Sequence, residues 1–153
     1  MKKVKNIKSG NSEVLEILTP EQKSELELPL FLESVSAGFP SPADDYLEGK
    51  LDLNQHLVRN PAATFFVRVT GDSMIDAGIH SGDVLVVDRS LEPKDSNIVI
   101  AVLDGDLTVK RLLREKGRVY LTPENSEYDR IEINEEMQFE VWGVVTTVIH
   151  PVL

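Results

Sequence analysis

Two short segments carry residue types that can hydrolyse an acyl bond together: Gly71-Asp72-Ser73-Met74 and Thr108-Val109-Lys110-Arg111. A serine hydroxyl is a weak nucleophile until a neighbouring base takes its proton. Of the three histidines, His56 falls in an expected helix, His80 in a turn and His150 beside Pro151. None is excluded as that base, because catalytic partners need not be close in the chain. Lysine is the other option, and it serves only as the neutral amine, a form that burial or a cationic neighbourhood favours. Strand alternation puts Lys110 on one side with Thr108 and Leu112, and Arg111 on the other. Both residues also have plain readings. Ser73 and Asp76 fit a capping box for a short helix through Ile79, and Lys110 fits a surface lysine on a half-exposed strand. For Ser73 the readings are compatible, since free N–H groups at a helix start can also hold an oxyanion. Gly71 would permit the sharp turn and a close approach of substrate.

The elements that must position these segments read as β. Thr64–Thr70, Asp83–Arg89, Asn97–Leu103 and Leu107–Leu113 are rich in Val, Ile, Phe and Thr. Asp104-Gly105 predicts a tight hairpin between the last two. Weaker strands are expected at 118–122 and 129–133, and a long one at 138–149. Upstream, Ser41-Pro42 predicts a helix start, with the helix ending near Gly49. Asp52-Leu53-Asn54-Gln55 predicts a second short helix closed by Asn60-Pro61. Residues 1–12 are polar and basic and read as disordered. Residues 13–36 hold apolar side chains broken by Pro20 and Pro29, without a lasting period, and read as an arm that docks on something.

Composition narrows the function classes. The 153 residues suffice for one domain with a core plus an arm. There is no cysteine, which removes disulfides, thiolate metal sites and cysteine nucleophiles. The net charge of −10 argues against unaided DNA binding, which needs a clustered basic surface. Four lysines crowd the first eight residues, but Ser9-Gly10-Asn11-Ser12-Glu13 follows them instead of an apolar stretch, so a secretory signal is not expected. No run approaches the ~18 apolar residues of a membrane span. A cytoplasmic protein is the expectation.

With Gly78-Ile79 and Gly82-Asp83 behind it, the Ser73 segment resembles the nucleophile segment of the LexA/UmuD-type autopeptidases, peptidase family S24. Thr108–Arg111 resembles their lysine strand, and Ala37-Gly38 their self-cleavage bond. Phe39-Pro40-Ser41-Pro42-Ala43, Asp45-Tyr46 and Asp52-Leu53-Asn54-Gln55 are similar to the stretch after the cut in the UmuD branch. The likeness runs from roughly residue 28 to the C-terminus. Together these motifs outweigh the plain readings.

The resemblance implies a mainly β fold: a compact, folded-over β domain of the LexA/UmuD C-terminal type, with short helices and an extended N-terminal arm. Residues 1–37 would be the arm removed by self-cleavage, and 38–153 the peptidase and dimerisation domain. Ser73 would be the nucleophile and Lys110 the base, with Gly71, Asp72 and Met74 supporting the turn and the oxyanion. Val35 would fill a pocket upstream of the Ala37–Gly38 bond, with Phe39 its downstream neighbour. Neither cofactor nor metal is expected. The resemblance further implies stimulation by a RecA–single-stranded DNA filament. The processed form would then join a UmuC-like Y-family subunit in an error-prone translesion polymerase of the SOS response. A homodimer is implied, with exposed residues of strand 138–149 contributing.

The departures are few. Residues 1–25 extend beyond the usual short arm. The cut falls at Ala-Gly where some UmuD proteins carry Cys-Gly, and either keeps a small residue before the bond. Thirty-six residues interrupted by two prolines leave no room for the helix-turn-helix domain of the family's repressors. Three rivals remain. A signal peptidase would need a membrane anchor, a repressor fragment would need a DNA-binding domain encoded elsewhere, and a β-domain adaptor would use Ser73 only as a cap.

Overall fold

The computed structural model describes residues 2–6, 14–20, 27–31 and 47–153. The chain divides into two compact units, residues 1–21 with 60–153, and residues 22–59. The first unit holds a nine-stranded sheet. In chain order its strands are β1 (Lys2–Asn6), β2 (Val14–Thr19), β5 (Thr64–Val69), β6 (Val84–Asp88), β7 (Ile98–Leu103), β8 (Asp106–Glu115), β9 (Arg118–Thr122), β10 (Ile131–Glu132) and β11 (Phe139–Ile149). Across the sheet they run β1-β2-β5-β6-β11-β7-β8-β9-β10, every pair antiparallel. The second unit holds the antiparallel pair β3 (Glu27–Phe31) and β4 (Leu47–Asp52), followed by the helix α1 (Leu53–Leu57).

The mainly β expectation holds, and from residue 64 onward each expected strand is present within about two residues. Side chains alternate across a strand, so β7 feeds both faces of the sheet. Ile100 joins one buried cluster with Val67, Val69, Leu85, Val87, Leu107 and Val109. Val99 and Ala101 join another with Leu112, Leu121 and Val144. Both faces therefore bury apolar side chains, as a folded-over sheet requires. Asp104 (φ 50°) and Gly105 (φ 87°) make the tight turn between β7 and β8, since this hairpin type demands positive φ at both central positions. Strand β11 lies between β6 and β7, so its backbone is already paired. Its side chains Glu140, Thr146 and Ile149 remain exposed.

Three expectations for the first fifty residues change. Residues 2–6, expected to be disordered, form β1, and the unperiodic arm contributes β2 and β3. In β2 Val14 and Ile17 enter one buried cluster three residues apart, because the register with β5 shifts between Val14 and Glu16, while the next residue, Leu18, is buried on the other face. A bulge of this kind hides a strand from a period-two reading. The helix expected from Ser41 toward Gly49 does not cover Leu47–Asp52, which pairs with β3 instead. Its earlier turn lies outside the described residues. The second helix forms as expected, Asp52 capping it by accepting a hydrogen bond from Asn54 N–H at 2.9 Å.

Candidate active site

Ser73 lies in the loop that joins β5 to β6. The neck of that loop is closed by Gly82 N–H donating to Val69 O (2.8 Å) and Val69 N–H donating to Asp83 O (3.1 Å). Beside it the hydroxyls of Thr70 and Ser81 meet at 3.1 Å. Gly71 turns the chain out of β5 at φ 93°, a left-handed conformation that favours glycine. The helix foreseen through Ile79 is only a 3₁₀ turn, Ile75–Ala77, whose cap position is Met74 and carries no side-chain cap. Ser73 is therefore not the cap, and Asp76 closes no box with it. The Asp76 N–H donates instead to Glu124 O at 2.9 Å.

What Ser73 does instead is meet Lys110. Nζ of Lys110 lies 3.0 Å from Ser73 Oγ, 3.0 Å from Thr108 Oγ1 and 2.9 Å from Val109 O. Ser73 is 2% exposed and Lys110 8%, so the pair is largely out of water. Such burial strengthens their interaction. Lys110 reaches this position because it sits mid-strand in β8, paired to β7 on one side, and Thr108 shares its face. Their chain neighbours Met74 and Val109 are buried in one apolar cluster, which braces both segments from behind.

The turn before Ser73 is held by a segment that sequence reasoning passed over. Glu124 N–H donates to Ser73 O (2.8 Å), Asn125 Nδ2 to Asp72 O (2.9 Å), and Tyr128 OH to Asp72 Oδ1 (2.6 Å). Arg111, on the face opposite Lys110, pairs with Glu124 and so ties this segment to β8. Only turn-forming residues mark 123–128 in the sequence, which signals a loop and nothing about its target. A cleft of about 630 Å³ opens beside the pair, between Thr70–Gly71 and Thr108–Lys110, with Tyr128 and Ile131 on its wall. Thr70 and Gly71 also line the small recess that holds Ser73. Val35, Ala37, Gly38 and Phe39 lie outside the described residues.

Two of the three histidines have a different partner from Ser73. His80 and His150 converge on buried Asp83, with ring centroids 4.4 Å apart. Asp83 Oδ2 accepts His80 N–H at 2.7 Å, and Asp83 Oδ1 lies 2.6 Å from His150 Nδ1. The three offer ligand atoms within 4.8 Å of one another, a set able to hold a metal ion. Both carboxylate oxygens are already engaged, however, one within the loop by His80 N–H and the other by His150 from beyond β11. His56 lies in α1, in the other unit. Among the described residues no helix is long and apolar enough to cross a membrane.

A mainly antiparallel β unit thus carries a buried serine with a lysine amine against it and a cleft alongside. The model of the family described as Peptidase S24-like matches residues 29–146, and the chain belongs to that family, whose members are self-cleaving serine peptidases. Within it the chain is UmuD-like. It is 51% identical over 138 residues to the protein SamA of Salmonella typhimurium, covering 90% of this chain and 96% of that relative. It is 47% identical over 128 residues to the protein MucA of Escherichia coli, covering 82% and 87%. The protein ImpA of Shigella flexneri is 49% identical over 122 residues, covering 80% and 83%.

Proposed function

We propose that the protein cuts its own Ala37–Gly38 bond with a Ser73–Lys110 dyad. The observation that carries this reading is the 3.0 Å approach of Lys110 Nζ to Ser73 Oγ in a buried setting. A neutral amine has two N–H groups and one lone pair. Directed at Val109 O and Thr108 Oγ1, the two N–H groups leave the lone pair facing the Ser73 hydroxyl. Ser73 Oγ attacks the Ala37 carbonyl carbon as its proton passes to Lys110. The tetrahedral adduct collapses, the C–N bond breaks, and Lys110 returns the proton to the Gly38 nitrogen. Water then attacks the Ser73 ester, with Lys110 taking its proton and handing it to the departing Ser73 oxygen.

Among the described residues the N–H groups of Ser73 and Met74 enter no backbone hydrogen bond. They are available to the oxyanion that forms on Ala37, and Gly71 and Asp72 shape the turn that presents them. The cleft beside Thr108 and Lys110 has room for an extended segment. Because the bond is tethered to its own catalyst, most of the entropy of bringing it in is already lost.

The physiological frame comes from the family. Cleavage in the cytoplasm is stimulated by a RecA–single-stranded DNA filament. The processed homodimer then serves a UmuC-like Y-family subunit in error-prone synthesis during the SOS response. The test of the chemistry is incubation at pH ~10, where lysine side chains in general begin to lose their protons, followed by intact mass. The parent is expected to split into 1–37 and 38–153 while Ser73→Ala stays whole. A folded parent that stays whole, with a RecA filament added as well, would overturn the reading.

A further inference from the structure

Among the residues before the expected cut, three described stretches are paired strands. Two separate ladders join residues upstream of Gly38 to residues downstream of it. In the first unit β2 pairs with β5, through Val14↔Val69, Glu16↔Arg68, Ile17↔Val67 and Leu18↔Phe66. In the second unit β3 pairs with β4, from Glu27↔Asp52 to Phe31↔Leu47. A cut between residues 37 and 38 falls in the connection between β3 and β4, and it breaks neither ladder.

The first ladder is also an apolar one. Val14 is 1% exposed, Ile17 4% and Leu18 8%. Val14 and Ile17 belong to the same buried cluster as Val67, Val69, Met74 and Val109, the last two being chain neighbours of Ser73 and Lys110. Stripping β2 away would expose those walls to water and leave the backbone of β5 unpaired along one edge, a costly change on both counts. Strand β1 covers the outer edge of β2 in turn, and Glu16 reaches Arg68 at 3.5 Å across the ladder.

Taking self-cleavage as proposed above, we propose that the cut leaves a nicked, two-fragment protein in which residues 1–37 stay seated on β5 and β4. The cut creates two new chain ends, and the β5 edge stays occupied by the protein's own first strands. This gives the extension of residues 1–25 a role: it anchors the upstream fragment. A partner that needs the β5 edge must displace β2, so cleavage and exposure of that edge are separate events.

Retention can be read whether or not Ser73 cuts. A Ser73→Ala chain carrying a site-specific protease sequence inserted between Ala37 and Gly38 is nicked from outside, then passed through a sizing column at low micromolar concentration. Both fragments are expected in one peak at equal stoichiometry, and to separate only in denaturant. Two separate peaks without denaturant would overturn the proposal. Ile17→Asp in the same nicked chain is expected to raise the freed fraction of the upstream fragment at least tenfold; unchanged retention would show that β2 is not what holds it. The self-cut parent is run beside them. If the parent fails to cut itself, the dyad falls, and the nicked chain still decides the question of retention.

Discussion

Ser73 and Asp83 stand at two ends of one loop, are equally buried at 2% and 1% exposure, and do opposite things with their oxygens. Asp83 has both carboxylate oxygens engaged, by His80 N–H and by His150 Nδ1, inside the neck that closes the loop. Its surroundings leave it nothing to react with. Ser73 Oγ faces the Lys110 amine at 3.0 Å, beside an open cleft. A buried polar cluster is thus a brace when its partners saturate it, and a catalyst when a partner can exchange a proton and space for a substrate adjoins it. One cluster stiffens the loop that the other works from.

Exchanging the two roles by mutation gives effects of different kinds. The largest is expected for Lys110→Ala. On the proposed mechanism Ser73 then has no base, and self-cleavage followed by intact mass should fall by at least about 10³-fold, as for dyad members that act as a unit. Cleavage at the parent rate would break the comparison outright. Asp83→Ala should act on the fold, because it leaves the part-buried His80 N–H and His150 without their acceptor and empties the Asp83 site, at a cost of about 2–3 kcal/mol. For a chain of this size that lowers the melting midpoint by roughly 4–12 °C in calorimetry. The folded fraction should still cut well below the midpoint, and a stable but inactive variant would move Asp83 into the catalytic group. Thr108→Val is the finest probe. It removes one hydrogen bond to the Lys110 amine, worth about 1 kcal/mol, so cleavage should slow roughly fivefold with the melting midpoint almost unmoved.

Legibility in the sequence followed the same physical divide. The strands from residue 64 on were readable because their apolar side chains repeat at the period of a pleated strand. The Asp104-Gly105 turn was readable because few residue pairs tolerate two positive φ angles in a row. Strand β2 was not, because its bulge sets Val14 and Ile17 three residues apart on one buried face while Leu18 is buried on the other. The first residues of strand β4 were read as the end of a helix closing near Gly49, whereas Leu47–Asp52 pairs with β3. Ser73 was ambiguous between cap and nucleophile from its own neighbours. The family motifs favoured the nucleophile reading where spacing alone did not.

By itself the sequence determined the chemistry available to this protein: a serine behind a turn-forming glycine, a lysine on a strand, and no cysteine at all. It determined most of the sheet too, because local periodicity and turn residues act over a few neighbouring positions. Only the tertiary structure decided which groups meet. Lys110 could approach Ser73 once β8 was paired beside β7 and the loop neck was closed by Val69, Gly82 and Asp83. His80 and His150 were drawn to Asp83 and away from the serine, and Glu124, Asn125 and Tyr128 arrived from a loop that carries no periodic signal. Contacts between residues far apart in the chain depend on how strands register and fold over, and no local pattern encodes that.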